Sequence, residues 1–147
     1  MITVHDCTIL PMPGGRTSAS GIDAPTGGLN LPFEIARVYY LYDVVDGQTR
    51  GGHAHKKLQQ LIIPVCGSFD LVIDDGLEKR AFRMDRPDRG LHIPGHIWTV
   101  VKNFSPGAVC MVLASLPYYE EEYIRDYDQF LQFKGVKPQN NAALQKA

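Results

Sequence analysis

The stretch RGGHAHKKLQQLIIPVCGSFDLVIDDG, residues 50–76, decides how this chain folds. It has no helical period. QLIIPVCGSFDLVI is strand-like in its β-branched and aromatic content. The DDG that closes it, Asp74 to Gly76, lies between FDLVI and EKRAF and reads as a tight hairpin turn, with Gly76 supplying the positive φ. At the other end, residues two apart on an extended strand point to one face, so His53 and His55 present both imidazoles to the same side.

Outward from this stretch the same texture continues. ARVYYLYDVV, KRAFRM, GLHIP, IWTVVKNF and AVCMVLAS are further short strand candidates, with turn punctuation at residues 45–52, 87–90 and 105–107. Many short strands with no intervening helical pattern predict an all-β sandwich or small barrel over residues 33–116. Before it, PMPGGRTSASGIDAPTGGLNLP (residues 11–32) is too rich in Gly, Pro, Ser and Thr for a helix or a central strand. Residues 1–32 therefore read as an arm or loop, serving as a covering flap or a dimer arm. After the barrel, YYEEEYIRDYDQFLQFKG places Tyr123, Tyr127, Phe130 and Leu131 near one helical stripe, which predicts a short C-terminal helical segment within residues 117–134. The polar residues from Lys134 onward, with a tail at 135–147, are expected to fray.

With 147 residues and 44% hydrophobic positions, the chain suits one domain with a real core. Fifteen basic and sixteen acidic side chains leave a net charge of -1, which excludes the broad basic surface of a nucleic-acid binder. An anionic ligand must be met by local cations. No run of about 18 apolar residues can span a bilayer, and MITVHDCTIL lacks the pattern of a secretory signal. A cytoplasmic protein with no membrane partner is expected. Cys7, Cys66 and Cys110 form no CxxC pair and read as small buried hydrophobes. Asp70, Asp74 and Asp75 read as turn chemistry.

Two clusters carry the chemistry: Gly52, His53, His55, Gln60 and Gly67, then Pro94, His96, Thr99 and Asn103. Their order and spacing resemble the two motifs of the cupins, small double-stranded β-helix barrels of jelly-roll type. The resemblance places Gln60 where cupins carry an acidic metal ligand and Thr99 where they carry a third histidine. An amide and a hydroxyl are poor ligands for a divalent transition metal, and two imidazoles fall short of the usual three protein ligands. No metal is expected. Two histidines without a metal suit proton transfer, since an imidazole titrates near neutral pH.

A longer resemblance runs over residues 31–133. LPFEIARVYYLYDV, RGGHAHKKLQQ, GSFDLVIDDG, PDRGLHIP and VLASLPYYEEEYIRDYDQF are similar to the dTDP-4-keto-6-deoxyglucose 3,4-ketoisomerases, the WxcM-like cupins. That resemblance implies an enzyme that moves the ketone of a dTDP-linked 4-keto-6-deoxyhexose from C4 to C3 through an enediol, without a cofactor, in dideoxyaminosugar biosynthesis. It implies His55 as the base at carbon and His53 as its partner at the sugar oxygens, with Tyr39 or Tyr40 relaying protons. The ligand's diphosphate calls for Arg37 and Arg50, because a guanidinium grips phosphate oxygens in two-pronged fashion. Gln60 is expected at a sugar hydroxyl or an imidazole. Trp98 is a candidate wall for the sugar or stack for the base. The family also implies a homodimer. Two rivals are an epimerase of the same ketosugar and a non-catalytic cupin module that binds a sugar nucleotide.

Overall fold

The computed structural model describes residues 1–13 and 29–138 in full, and the backbone of 16–18 and 21–23. Strands β1 (Thr8–Pro11), β2 (Arg16–Ser18) and β3 (Gly21–Asp23) precede β4 (Arg37–Leu41), β5 (Arg50–His55), β6 (Gln60–Cys66), β7 (Phe69–Asp74) and β8 (Lys79–Met84). Next come β9 (Arg89–Ile93), β10 (Trp98–Lys102), β11 (Val109–Ala114), β12 (Tyr123–Ile124) and helix α1 (Tyr127–Lys134). Five strands form an antiparallel sheet in the order β1-β9-β6-β11-β4, and five form another in the order β12-β5-β10-β7-β8. From β4 to β12 the chain alternates between the two sheets, apart from the β7–β8 hairpin. This is the winding of a double-stranded β-helix, as expected.

Period-two alternation fills the space between the sheets. Phe69, Leu71 and Ile73 of β7 are fully buried there, together with Ile62, Leu91, Ile93, Val101 and Val112. Each contributes roughly 1.5–3 kcal/mol by leaving water. Strand β6 is buried on both faces. Ile62 faces the core, while Leu61 and Ile63 lie beneath Leu10, Met12, Leu29, Leu31 and Phe33 of the N-terminal region.

The described residues of that region hold strands that its composition does not predict. Thr8–Pro11 forms an edge strand on β9, where a proline costs no ladder hydrogen bond, and β2 pairs with β3 as a hairpin. The expected arm or loop of residues 1–32 thus contains three strands. The segment 117–134 also differs from its reading as helix. Only Tyr127–Lys134 is α-helical, capped by Asp126 accepting from the Gln129 amide (2.9 Å) and by Gly135 at φ 72°. Tyr123 lies on β12, paired with His55, because cross-strand pairing overrides the helical spacing.

Three smaller expectations are corrected. Lys134 does not fray: it is 6% exposed and its Nζ donates to the Ile2 carbonyl at 2.6 Å, with Val136 packed on the helix cluster beyond it. Gly76 takes the turn at φ 95°, but the aspartates beside it also tie distant segments. Asp75 accepts from the Val4 amide (2.9 Å) and Asp74 from the Tyr127 hydroxyl (2.7 Å). Cys7 and Cys110 are buried, and burial pushes both thiols up to about 12. Cys66 is exposed, since it ends β6 at the rim.

Candidate active site

The paired glycines of RGGHAH shape the site. Gly51 and Gly52 have φ of 82° and 75°, a conformation that L side chains rarely adopt. A Cβ on Gly51 would lie 2.7 Å from the Thr99 carbonyl oxygen. The β5–β10 register passes from Thr99 opposite His53 to Val100 opposite Gly51, so Gly52 is the extra residue of a bulge. Arg50 and His53, three apart, would face opposite ways on a regular strand. The bulge lets both line one cavity of about 320 Å³ between the sheets.

His53 lines this cavity, and His55 is 3% exposed beside it. Their ring centroids are 4.9 Å apart and nearly perpendicular, and Tyr123 lies 4.9 Å from His53 and 4.6 Å from His55. The His96 amide donates to the His55 carbonyl at 2.7 Å, which anchors the end of β5. Among the described residues, His53 Nδ1, His55 Nε2, Thr99 Oγ1 and Arg37 Nε are buried without a hydrogen-bond partner. Unpaired buried polar atoms are costly unless a ligand or water meets them.

Burial and nearby cations keep both imidazoles neutral. Desolvation, then the Arg125 charge, lowers His53 to about 4. Desolvation, then His53 and Arg37, lowers His55 to about 3. A neutral imidazole near pH 7 is a proton acceptor.

Strand β4 resolves the choice between the tyrosines. Tyr39 faces the cavity, whereas Tyr40 is 52% exposed on the opposite face. Burial and the neighbouring Tyr123 push the Tyr39 phenol up to about 12. Arg37 lines the cavity with its guanidinium 4.9 Å from the Tyr39 ring centre, and its Nη2 donates to the Tyr123 hydroxyl at 2.9 Å. Arg50 stands at the rim, donating to the Thr49 carbonyl (3.0 Å) and the Gln48 side chain (2.9 Å). Gln60, 4% exposed, joins the wall from β6.

Trp98 is not in the cavity. Thr99 and Val101 point inward on β10, so Trp98 points out and packs 5.2 Å from Tyr127 and 5.6 Å from Phe130. His96 also lies outside, against Phe133 at 4.7 Å, and Asn103 donates to Asp70 at 2.7 Å.

The remaining wall comes from residues 118–125, which sequence reasoning assigned to a helix. Tyr118, Tyr123 and Arg125 line the cavity. Arg125 lies 4.5 Å from the Tyr123 ring centre and grips Glu120 through two contacts of 2.6 and 3.1 Å. Glu120 also accepts from the Tyr118 hydroxyl, and these donors hold its carboxyl down to about 2. Glu122 clasps the turn after the histidines, accepting from the amides of Lys57 (2.8 Å) and Leu58 (2.9 Å). The available signal was the i, i+2 spacing of Tyr123 and Arg125, which suits a strand.

Comparison with known proteins places this geometry. Residues 5–135 match the family described as FdtA, WxcM-like, C-terminal. The chain is 42% identical over 104 residues to a TDP-4-oxo-6-deoxy-alpha-D-glucose-3,4-oxoisomerase of Aneurinibacillus thermoaerophilus, covering 71% of this chain and 75% of that one. A 3,4-ketoisomerase from Helicobacter canadensis superposes with a TM-score of 0.79 at 41% identity, over 88% of this chain and 98% of that one. QdtA, a 3,4-ketoisomerase from Thermoanaerobacterium thermosaccharolyticum, was solved as a His-to-Asn mutant in complex with TDP-4-keto-6-deoxyglucose. It gives a TM-score of 0.81 at 32% identity, over 89% of this chain and 95% of that one. The chain belongs to the WxcM-like family of FdtA-type sugar ketoisomerases.

Proposed function

We propose that this chain is the enzyme that moves the ketone of TDP-4-keto-6-deoxyglucose from C4 to C3. The observation that carries this is the imidazole pair, with His53 lining and His55 beside the cavity that Arg37, Arg50 and Arg125 also line, and with one nitrogen of each ring unpartnered among the described residues. Two of the relatives named above are described as acting on, or as solved in complex with, that class of sugar nucleotide. A C3–H beside the C4 ketone is acidic enough for a positioned neutral imidazole to remove. Its electron pair forms the C3=C4 double bond of an enediol, and a proton delivered to C4 completes the shift while O3 gives up its own. His53 lines the cavity and His55 stands beside it, so the pair divides removal and return of the carbon-bound proton.

The arginines answer the diphosphate in a protein whose net charge offers none. In this reading Arg37, Arg50 and Arg125, which line the cavity, meet its phosphate oxygens. Gln60 and the unpartnered Thr99 hydroxyl face the sugar hydroxyls. No metal or redox cofactor takes part in these steps. The same reading includes cytoplasmic residence, supply of 3-amino-3,6-dideoxyhexoses for polysaccharides, and a homodimer. Val38 and Tyr40, exposed on the edge strand β4, support a self-association surface.

NMR of the reaction in deuterated water tests the assignment. The expected product carries its carbonyl at C3 and deuterium at C4, and the same spectrum reads the C4 configuration. A ketone that stays at C4 while C3 and C5 exchange would overturn it in favour of epimerisation.

A further inference from the structure

We propose that Tyr123, its hydroxyl held by Arg37, is a catalytic residue that exchanges protons with both sugar oxygens, a role that sequence reasoning gave to Tyr39 or Tyr40. This rests on the ketoisomerase reading above. Tyr123 sits across from His55 in the β5–β12 pair, and its ring lies within 4.9 Å of both imidazole centres while lining the same cavity. A substrate carbon that meets the imidazoles therefore brings its oxygens towards this phenol.

The hydrogen bonding leaves the phenol proton available. The Tyr123 oxygen accepts from Arg37 Nη2, and among the described residues its own O–H has no acceptor. A guanidinium at a phenol oxygen also stabilises the phenolate left after proton donation. Tyr39 lacks this arrangement. Arg37 lies over its ring, and burial holds its proton tightly.

The step balances without a co-reactant. As an imidazole takes the C3 proton, the C3–H pair becomes the C3=C4 bond and the C4=O π pair moves onto O4, which takes the Tyr123 proton. In the second half, the phenolate recovers a proton from the O3 hydroxyl while the imidazolium protonates C4. O3 and O4 are neighbours on a planar enediol, so one phenol reaches both and ends as it began. The histidines then serve the two carbons alone.

Tyr123→Phe keeps the ring against the imidazoles and removes only the hydroxyl. The expected result is kcat lower by about 100-fold or more, with KM within about threefold, an unchanged melting temperature and C3 exchange slowed in proportion. Tyr39→Phe is expected to lower kcat by less than Tyr123→Phe does. Tyr123→Phe at wild-type kcat, or Tyr39→Phe carrying the loss instead, overturns the assignment. A 3-fluorotyrosine in place of Tyr123 alters the phenol at nearly constant shape and should change kcat, and an unchanged kcat overturns the assignment on its own. Wild-type enzyme that leaves the ketone at C4 overturns the functional reading and this inference together, whereas an active wild type matched by Tyr123→Phe overturns the inference alone.

Discussion

Two strips of backbone meet at the imidazoles, and they hold position by different physics. Strand β5 is rigid through its main chain: two glycines at positive φ, one packed against the Thr99 carbonyl, bulge the strand so that Arg50 and His53 share a wall. Residues 118–127 contain only two residues of strand, paired with His55 and Ala54, and beyond that pairing lean on side chains. Glu122 ties them to the turn after His55, and Glu120, Arg125 and Tyr118 tie them to each other. Main-chain geometry fixes the base, while side-chain charge fixes what surrounds it. Reactivity should therefore fail abruptly on the β5 side and shift gradually on the other.

The largest effect belongs to the imidazoles. His53→Asn and His55→Asn are each expected to lower kcat by about 10²–10⁴-fold in the coupled isomerisation assay, with thermal unfolding as the check that each variant folds. Turnover retained in both would break the comparison at its first term.

Next come the glycines, which separate close approach from backbone conformation. Gly51→Ala meets both a positive φ and a backbone oxygen at 2.7 Å, and should cost about 2–4 kcal/mol in urea unfolding. Gly52→Ala has the same sign of φ but nothing within 4 Å, and should cost about 1 kcal/mol. Equal costs would show that the contact with Thr99 does not fix the bulge.

These unequal strips were also unequally legible. The His53 and His55 face follows from period two, and the strand runs from composition, because both are local signals. Period two also decides Trp98: with Thr99 facing inward, its neighbour must face outward towards Tyr127 and Phe130. Tyr123 was harder. A two-residue strand is too short to show a period, and its conformation is set by pairing with β5 far away in sequence. Ile124, rather than Tyr123, supplies the apolar contact to the helix cluster. Lys134 is similar, since its partner is a carbonyl at the other end of the chain.

The clasp gives an intermediate effect. Glu122→Gln removes the charge that accepts from two backbone amides and should cost about 1–2 kcal/mol, with kcat reduced severalfold as the turn beside His55 loosens. Thermal unfolding and single-turnover kinetics read the two separately. A loss of stability without loss of rate would show that the turn does not set imidazole position.

Arg125→Gln should give the smallest change in kcat and the most specific change in its pH dependence. Its charge is the largest electrostatic influence lowering His53, which stands at about 4 against an ordinary 6.5. The base works only when neutral, so activity falls as pH drops through that value. Removing the guanidinium, and freeing Glu120 to attract a proton, should move the acid limb of kcat/KM upward by roughly half a pH unit to one pH unit. Stability follows the same sign. Between 6.5 and about 4 the unfolded chain binds the His53 proton and the folded chain does not, so stability is full above 6.5 and declines as pH falls towards 4. Arg125→Gln narrows that window and should soften the acid-induced loss. Glu120→Gln removes a charge that raises His53 and should move both effects the opposite way. Opposite signs from two residues of one ion pair distinguish control by charge from mere loosening of the segment, which would move both variants in the same direction.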